Sequence, residues 1–435
     1  MKSDLTAWAN ENSIKYFMVS FTDLFGVQRA KLVPTPAIAG MQQDGAGFAA
    51  FAAWLDLTPA HPDMLAIPDA STAIQLPWNR EVAWVAGDCV MEGKPVAQSP
   101  RQVLKQVIEQ AQQEGMRVKT GVEAEFFLLT PAGEQISDAF DTAVKPCYDQ
   151  QAVMRRYEVI KEICDYMLEL GWGPYQNDHE DANGQFEMNW AFDDALVTAD
   201  RHSFFKFMTK SVAEKHGFRA TFMPKPIESL TGNGCHAHVS GWDSGGLSNL
   251  FVDETAPLGL SHKARHFIGG LLQHAPALTA ITNPTVNSYK RINAPVTNSG
   301  ATWAPNTATW SGNNRTHMIR VPEPGRFELR LPDGATNPYL LQAVIMAAGL
   351  SGIKSSADPG KPLDIDMYAE GHSLPDAPRL PLNLLDALRA FDSDIALKKT
   401  MGSEFSTAFL NLKHKEWLDF TAHFSKWEHD NTLDI

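Results

Sequence analysis

The sequence predicts an α+β fold in two parts, and three observations carry that expectation. Residues 1–99 open on a short helix and continue in strand-like segments. A polar, proline-containing link, EGKPVAQSPR, then precedes a strongly amphipathic helix. Beyond it, long helices alternate with short strands that carry polar residues on one face. The expected domains are therefore 1–99 and 100–435, both within or near ordinary domain sizes.

Taken in order, Ser3 to Asn12 reads as a short capped helix. IKYFMVSFTDLFG and QRAKLVP follow as two strands joined by a turn at Gly26, and AIQLPW and EVAWVAGDCV continue the strand pattern. A helix is predicted from Gln102 to about Glu114, another from Gln151 through Glu169, and a third from Asn337 to Lys354.

Bulk properties narrow the functional classes. A net charge of −14, with no Lys/Arg run, argues against a binder of nucleic-acid backbones. Cys89, Cys147, Cys164 and Cys235 form no CxxC pair and read as reduced and mostly buried. The N-terminus lacks the apolar core of a signal peptide. The most apolar run, YLLQAVIMAAGL, is too short to span a bilayer. A soluble, cytoplasmic protein is expected.

Four strands share a peculiar face, because side chains alternate across a strand. Glu123 and Glu125 oppose Val122, Ala124 and Phe126; Gln185, Glu187 and Asn189 oppose Phe186, Met188 and Trp190. His236, His238 and Ser240 oppose Cys235, Ala237 and Val239; Arg326, Glu328 and Arg330 oppose Phe327, Leu329 and Leu331. One such strand is ordinarily a half-exposed sheet. Four of them, drawing on Glu, His and Arg, point to one cavity whose carboxylates need cancelling charge. The segment NDHEDANGQFEMNW adds Asp178, His179, Glu180 and Asp181 without a Lys or Arg. Oxygen ligands with an occasional imidazole suit Mg²⁺ or Mn²⁺, and guanidinium forks suit anionic or phosphorylated substrates. No GxxxxGK[ST] cradle is present.

The landmarks FTDLFG, HPDMLAIPD, EAEFF, HEDANGQFE, TFMPKP, GNGCHAHVS, NPTVNSYKR, NNRTHMIRVP and RFELRLPDGATNPYL, in this order, resemble the glutamine synthetase superfamily across essentially the whole chain. That resemblance implies an N-terminal β-grasp domain and a catalytic domain whose antiparallel strands form a funnel. It also implies stacked hexameric rings, a homododecamer, with active sites completed by a neighbouring subunit. ATP would phosphorylate the γ-carboxylate of glutamate, and an amine would then displace phosphate. By motif, Glu125, Glu180 and Glu187 resemble ligands of the metal that organises glutamate. Glu123, His236 and Glu328 resemble ligands of the metal at the nucleotide phosphates. His238, Ser240, Arg320 and Arg326 match nucleotide or phosphate positions, and Gly232, Arg291, Arg315 and Arg330 match positions that hold glutamate or its phosphorylated form.

Two departures bear on the amine. Counted back from Trp54 without gaps, GFAAFAAW puts Gly47 where ammonia-using relatives carry an Asp, while an insertion would align Asp44-Gly45 instead; Asp63 matches the other ammonium-site Asp. After SYKR, the chain offers Asn293 where relatives carry a flap Glu, and the lengthened segment contains Trp303 and Trp310. Together with KPCYD and SGATW, this is most similar to the γ-glutamylmethylamide synthetases and the type III-like glutamate–ammonia ligases. Methylamine is the expected amine, with ammonia the close alternative and a catalytically silent relative the rival from another class. With the flap Glu absent, Asp178 is the candidate proton acceptor and Asp63 the second choice; the alternative is that Asp178 only supports the metal ligands or caps a turn.

Overall fold

The structure is a computed structural model that describes residues 4–295, 297 and 302–435. Two sheets organise it. The first has seven strands: β1 (Tyr16–Thr22), β2 (Gln28–Pro34), β3 (Ala46–Phe48), β4 (Met64–Pro68), β5 (Ile74–Leu76), β6 (Asn79–Met91) and β7 (Lys94–Pro95). β1 and β2 form an antiparallel hairpin, and Gly26 takes a positive φ of 80° in its turn, where a side chain would be strained. β1 also pairs in parallel with β6, giving the mixed central arrangement of a β-grasp unit. Asp4 caps the first helix, Leu5–Asn12, by accepting from Thr6 and Ala7; the expected cap, Ser3, lies outside the described residues.

The second sheet has nine strands: β8 (Met116–Leu129), β9 (Pro174–His179), β10 (Gln185–Trp190), β11 (Asp193–Asp194), β12 (Arg219–Thr221), β13 (Cys235–Asp243), β14 (Trp310–Ser311), β15 (Ile319–Glu323) and β16 (Arg326–Leu329). Its main path runs β14-β15-β16-β13-β8-β10-β9 and is antiparallel except for the β14/β15 pair. One face packs on helices through Phe126, whose ring lies 6.3 Å from those of Phe186 and Phe205 and 5.8 Å from that of Phe222. Phe186, Met188 and Trp190 belong to this core face. The other face curves around the acidic residues.

The amphipathic helix is present as Pro100–Gln113 and the apolar run as Pro338–Ser355. The expected single helix 151–169 is two, Gln150–Arg155 and Tyr157–Glu169, because Arg156 leaves helical geometry at φ −114° and ψ 13°. Its guanidinium is engaged by Ser137 instead. Among the described residues no helix is long and apolar enough to cross a membrane.

An ion cluster around the buried Arg101 guanidinium ties the first sheet to the helices that carry Arg101 and Asp200. Arg101 donates to Asp200, to Asp88 at 2.5 Å and to Asp69 at 2.7 Å, and the Tyr339 hydroxyl donates to Asp200 at 2.8 Å. Asn337 Nδ2 donates to the Asp23 carbonyl at 2.8 Å, fixing the β1–β2 turn onto the start of the long C-terminal-half helix.

Candidate active site

Strand register decides which polar faces meet. Glu187 of β10 lies opposite Glu125 of β8, and Asp178 of β9 lies opposite Glu187. On the other side of β8, His236 lies opposite Glu123, and His238 of β13 lies opposite Glu328 of β16. Arg320 of β15 follows, opposite Glu328. The four expected faces therefore form one continuous wall.

That wall bounds a cavity of about 360 Å³. It contains Glu123, Glu125, Asp178, Glu180, Glu187, Gly232, His236, His238, Arg291, Arg315, Arg320, Arg326 and Arg330. Carboxylate oxygens of Glu125, Glu180 and Glu187 lie within 4.8 Å of one another. A second group at the same spacing is Glu123, His238 and Glu328, and a third is Glu123, Glu187 and His236. His238, placed by motif among nucleotide contacts, thus also stands with the acids: its Nε2 is 2.8 Å from Glu123 Oε1. His236 Nδ1 is 3.0 Å from Glu123 and 3.6 Å from Glu328.

The electrostatics divide the acids into two kinds. Burial alone would raise Glu123, but hydrogen bonds from His236 and His238 hold it well below the usual carboxylate range. Glu328 is likewise buried, yet the Arg330 charge and then His236 bring it down to about 2. Among the described residues, Glu180 and Glu187 have no such cation beside them. Burial first, then Glu125 for Glu180 and Glu123 for Glu187, pushes both well above their ordinary value. Asp178 goes up to about 6 through burial and the charges of Glu125 and Glu123.

These residues fit a divalent cation. Among the described residues, His236 Nε2 is buried without a hydrogen-bond partner. A Cβ added at Gly234 would come within 2.7 Å of Glu125 Oε1, 2.9 Å of His236 Nε2 and 3.0 Å of Arg291 Nη2. Glycine keeps that convergence open, and the donors are hard oxygens with imidazole, the set that Mg²⁺ or Mn²⁺ takes.

A second cavity of about 400 Å³ shares Glu123, Tyr175, His238 and Arg326 with the first. Ser240 lines this one, and its hydroxyl accepts from the Trp242 indole at 2.9 Å. The rings of Phe192 and Trp242 stack at 6.5 Å, and Lys119 Nζ sits 4.3 Å over Trp242.

Other expected residues fall elsewhere. Asp63 is exposed in the loop before β4, outside the residues that line the cavity. Asn293 donates to the Tyr289 and Leu382 carbonyls on another surface. Trp303 lines the cavity, but Trp310 is buried away from it and donates to the Pro359 carbonyl. Most of SGATW, Ser299 to Ala301, lies outside the described residues. All four cysteines are free, and Cys147 is exposed on the cavity wall instead of buried. Residue patterning did not single out Cys147 or Tyr148 for the site; KPCYD was the available signal. A buried His179–Asp141 pair at 2.7 Å anchors their loop, helped by the Tyr148 amide donating to the His179 carbonyl at 2.8 Å.

Fold and site together define a protein whose antiparallel sheet gathers carboxylates, imidazoles and guanidinium groups around one cavity. A family model described as the glutamine synthetase catalytic domain matches residues 97–432. A curated glutamine synthetase of Rhizobium leguminosarum bv. phaseoli is 72% identical over 435 residues, the whole of both chains. A glutamate–methylamine ligase of Methyloversatilis universalis is 41% identical over 442 residues, covering 100% of this chain and 99% of that one. A solved GmaS/ADP complex superposes with a TM-score of 0.97 at 61% identity, with all of both chains covered. The chain belongs to the glutamine synthetase family.

Proposed function

We propose that this member of the glutamine synthetase family, an ATP-dependent glutamate–amine ligase, joins methylamine to the γ-carboxylate of glutamate. The observation that carries the choice of amine is the position of Asn293. It stands where relatives carry a flap Glu, and its amide is committed to the Tyr289 and Leu382 carbonyls. The remaining wall beside Asp178 and Glu180 includes Cys147, Tyr148 and Trp303, a less acidic and more apolar lining. A methyl group removed from water there gains about 0.8 kcal/mol, roughly a fourfold bias. Ammonia is the second reading, favoured by the 72% identical relative named glutamine synthetase.

Glu125, Glu180 and Glu187 would hold one Mg²⁺ or Mn²⁺, and Glu123, His236 and Glu328 another, with His238 beside them. Cations there would neutralise the ATP phosphates and the reacting carboxylate. Arg291, Arg330 and Gly232 hold glutamate, and Arg320 and Arg326 hold the ATP phosphates by bidentate pairing. The second cavity suits the base, which would lie against the Phe192–Trp242 pair. The glutamate γ-oxygen attacks the terminal phosphorus and ADP leaves; Arg315, exposed at the cavity rim, faces the charge that migrates. The amine nitrogen then attacks the acyl carbon and phosphate leaves. Asp178 accepts the ammonium proton, since its Oδ1 is buried without a partner among the described residues. Asp63, exposed in one chain, would reach only a neighbouring subunit's site, in the stacked hexameric rings proposed for the assembly. The domains proposed are 1–99 and 100–435.

The test is phosphate release from ATP with glutamate and Mg²⁺, titrating methylammonium and ammonium separately and weighing the products. Higher kcat/KM for methylamine is expected. Preference for ammonia would overturn the amine assignment and leave the ligase reading standing.

A further inference from the structure

Gln185 lies on the same strand face as Glu187 and Asn189, yet nothing above gives it a part in the chemistry. Its side chain is fully buried. Nε2 has three acceptors within reach: Glu125 Oε2 at 2.9 Å, Asn233 Oδ1 at 3.0 Å and the Gly232 carbonyl at 3.2 Å. Its Oε1 accepts from the Ala182 amide at 3.1 Å. The Gly234 amide donates to the same Glu125 Oε2 at 2.7 Å. One oxygen of Glu125 is therefore committed to the protein by two donors, and the other, Oε1, is the one that approaches the Gly234–His236–Arg291 convergence.

The amide also joins two substrate regions. Glu125 belongs to the group of three carboxylates, and Gly232 lies in the loop that faces the Arg291 side chain, whose Cγ would be 3.1 Å from a Gly232 Cβ. Asn233, the third acceptor, is itself pinned by its amide to the Thr221 and Met223 carbonyls. A carboxylate held in one rotamer binds a cation without first losing side-chain freedom. Movement of the 231–234 loop upon glutamate would reach Glu125 through one shared amide group.

We infer that Gln185 is a positioning residue that couples cation binding at Glu125 to glutamate binding at the Gly232 loop. The inference rests on the ligase reading above. It makes the coupling reciprocal: glutamate tightens the cation by the same factor that the cation tightens glutamate.

The experiment titrates Mn²⁺ into the full-length protein and follows free Mn²⁺ by electron paramagnetic resonance, without and with saturating glutamate. The wild type should bind Mn²⁺ more tightly with glutamate. Gln185→Met keeps the volume and removes the donors; Gln185→Asn keeps an amide too short to span the same acceptors, and serves where the first variant fails to fold. Each should weaken Mn²⁺ about tenfold without glutamate, the scale of lost outer hydrogen bonds at metal ligands. Each should also bring the ratio of the two Mn²⁺ affinities towards one and raise KM for glutamate more than it lowers kcat. A folded variant that keeps the wild-type ratio overturns the inference while leaving the ligase reading intact. A wild type whose Mn²⁺ affinity ignores glutamate also overturns the inference, whereas only absence of phosphate release with both amines would count against the ligase reading.

Discussion

Glu187→Gln separates the two demands made on the acid cluster. Glu125, Glu180 and Glu187 offer oxygens within 4.8 Å of one another. At that spacing two full charges repel by about 3.5 kcal/mol with an effective dielectric of about 20. The substitution removes two of the three pairs, about 7 kcal/mol of gross repulsion in the cation-free protein. Proton uptake caps the cost, because holding an ordinary carboxyl neutral at pH 7 takes about 3.4 kcal/mol. The metal-free variant should therefore be more stable than the metal-free wild type by up to about 3 kcal/mol. The bond from Asn189 Nδ2 to residue 187, 2.8 Å in the wild type, survives because the amide keeps an acceptor oxygen. With a cation at a hundred times its dissociation constant, the wild type gains about 2.7 kcal/mol, and the variant should forfeit most of that. Differential scanning fluorimetry with and without Mn²⁺ reads both effects, and the ligase assay should show no turnover from a folded protein. An active variant, or one with the wild-type Mn²⁺ shift in Tm, would refute the reasoning.

Asp178→Asn should lower kcat with methylamine by about 10²–10⁴-fold while ATP and Mn²⁺ binding stay near wild type, measured by steady-state kinetics and titration. Equal activity would move the proton acceptor to another carboxylate. Arg101→Met leaves Asp69, Asp88 and Asp200 without their shared, buried cation. It should destabilise the protein by about 3–5 kcal/mol in a thermal unfolding series. Glu162 is lowered to about 2: burial opposes the shift, and Lys215, Tyr166 and His216 outweigh it. A depressed carboxyl contributes stability above its unfolded value near 4.5, and loses it as pH falls through about 2. Solvent screening at the exposed Lys215 discounts these contacts to about 1 kcal/mol. Glu162→Gln should therefore cost that much at pH 7 and nothing below pH 2, read from Tm against pH.

Sequence by itself determined which residues share a face. Alternation puts Glu123 with Glu125, Glu187 with Asn189 and His236 with His238 whatever the strands pair with, because it is local backbone geometry. It also placed the long helices, whose apolar period is equally local, but not the break at Arg156, which follows from its contacts with Ser137. Tertiary structure decided which faces meet. Glu187 stands opposite Glu125, and His238 opposite Glu328, through pairings that span 62 and 90 positions and are fixed by core packing on the far face. It also decided the wall formed by Cys147 and Tyr148, since an irregular loop has no period to read and is held by the distant His179–Asp141 contact. Gln185 shows the same division. Its face was legible from the alternation, but three acceptors drawn from two distant segments of the chain give it a task that only the folded arrangement reveals.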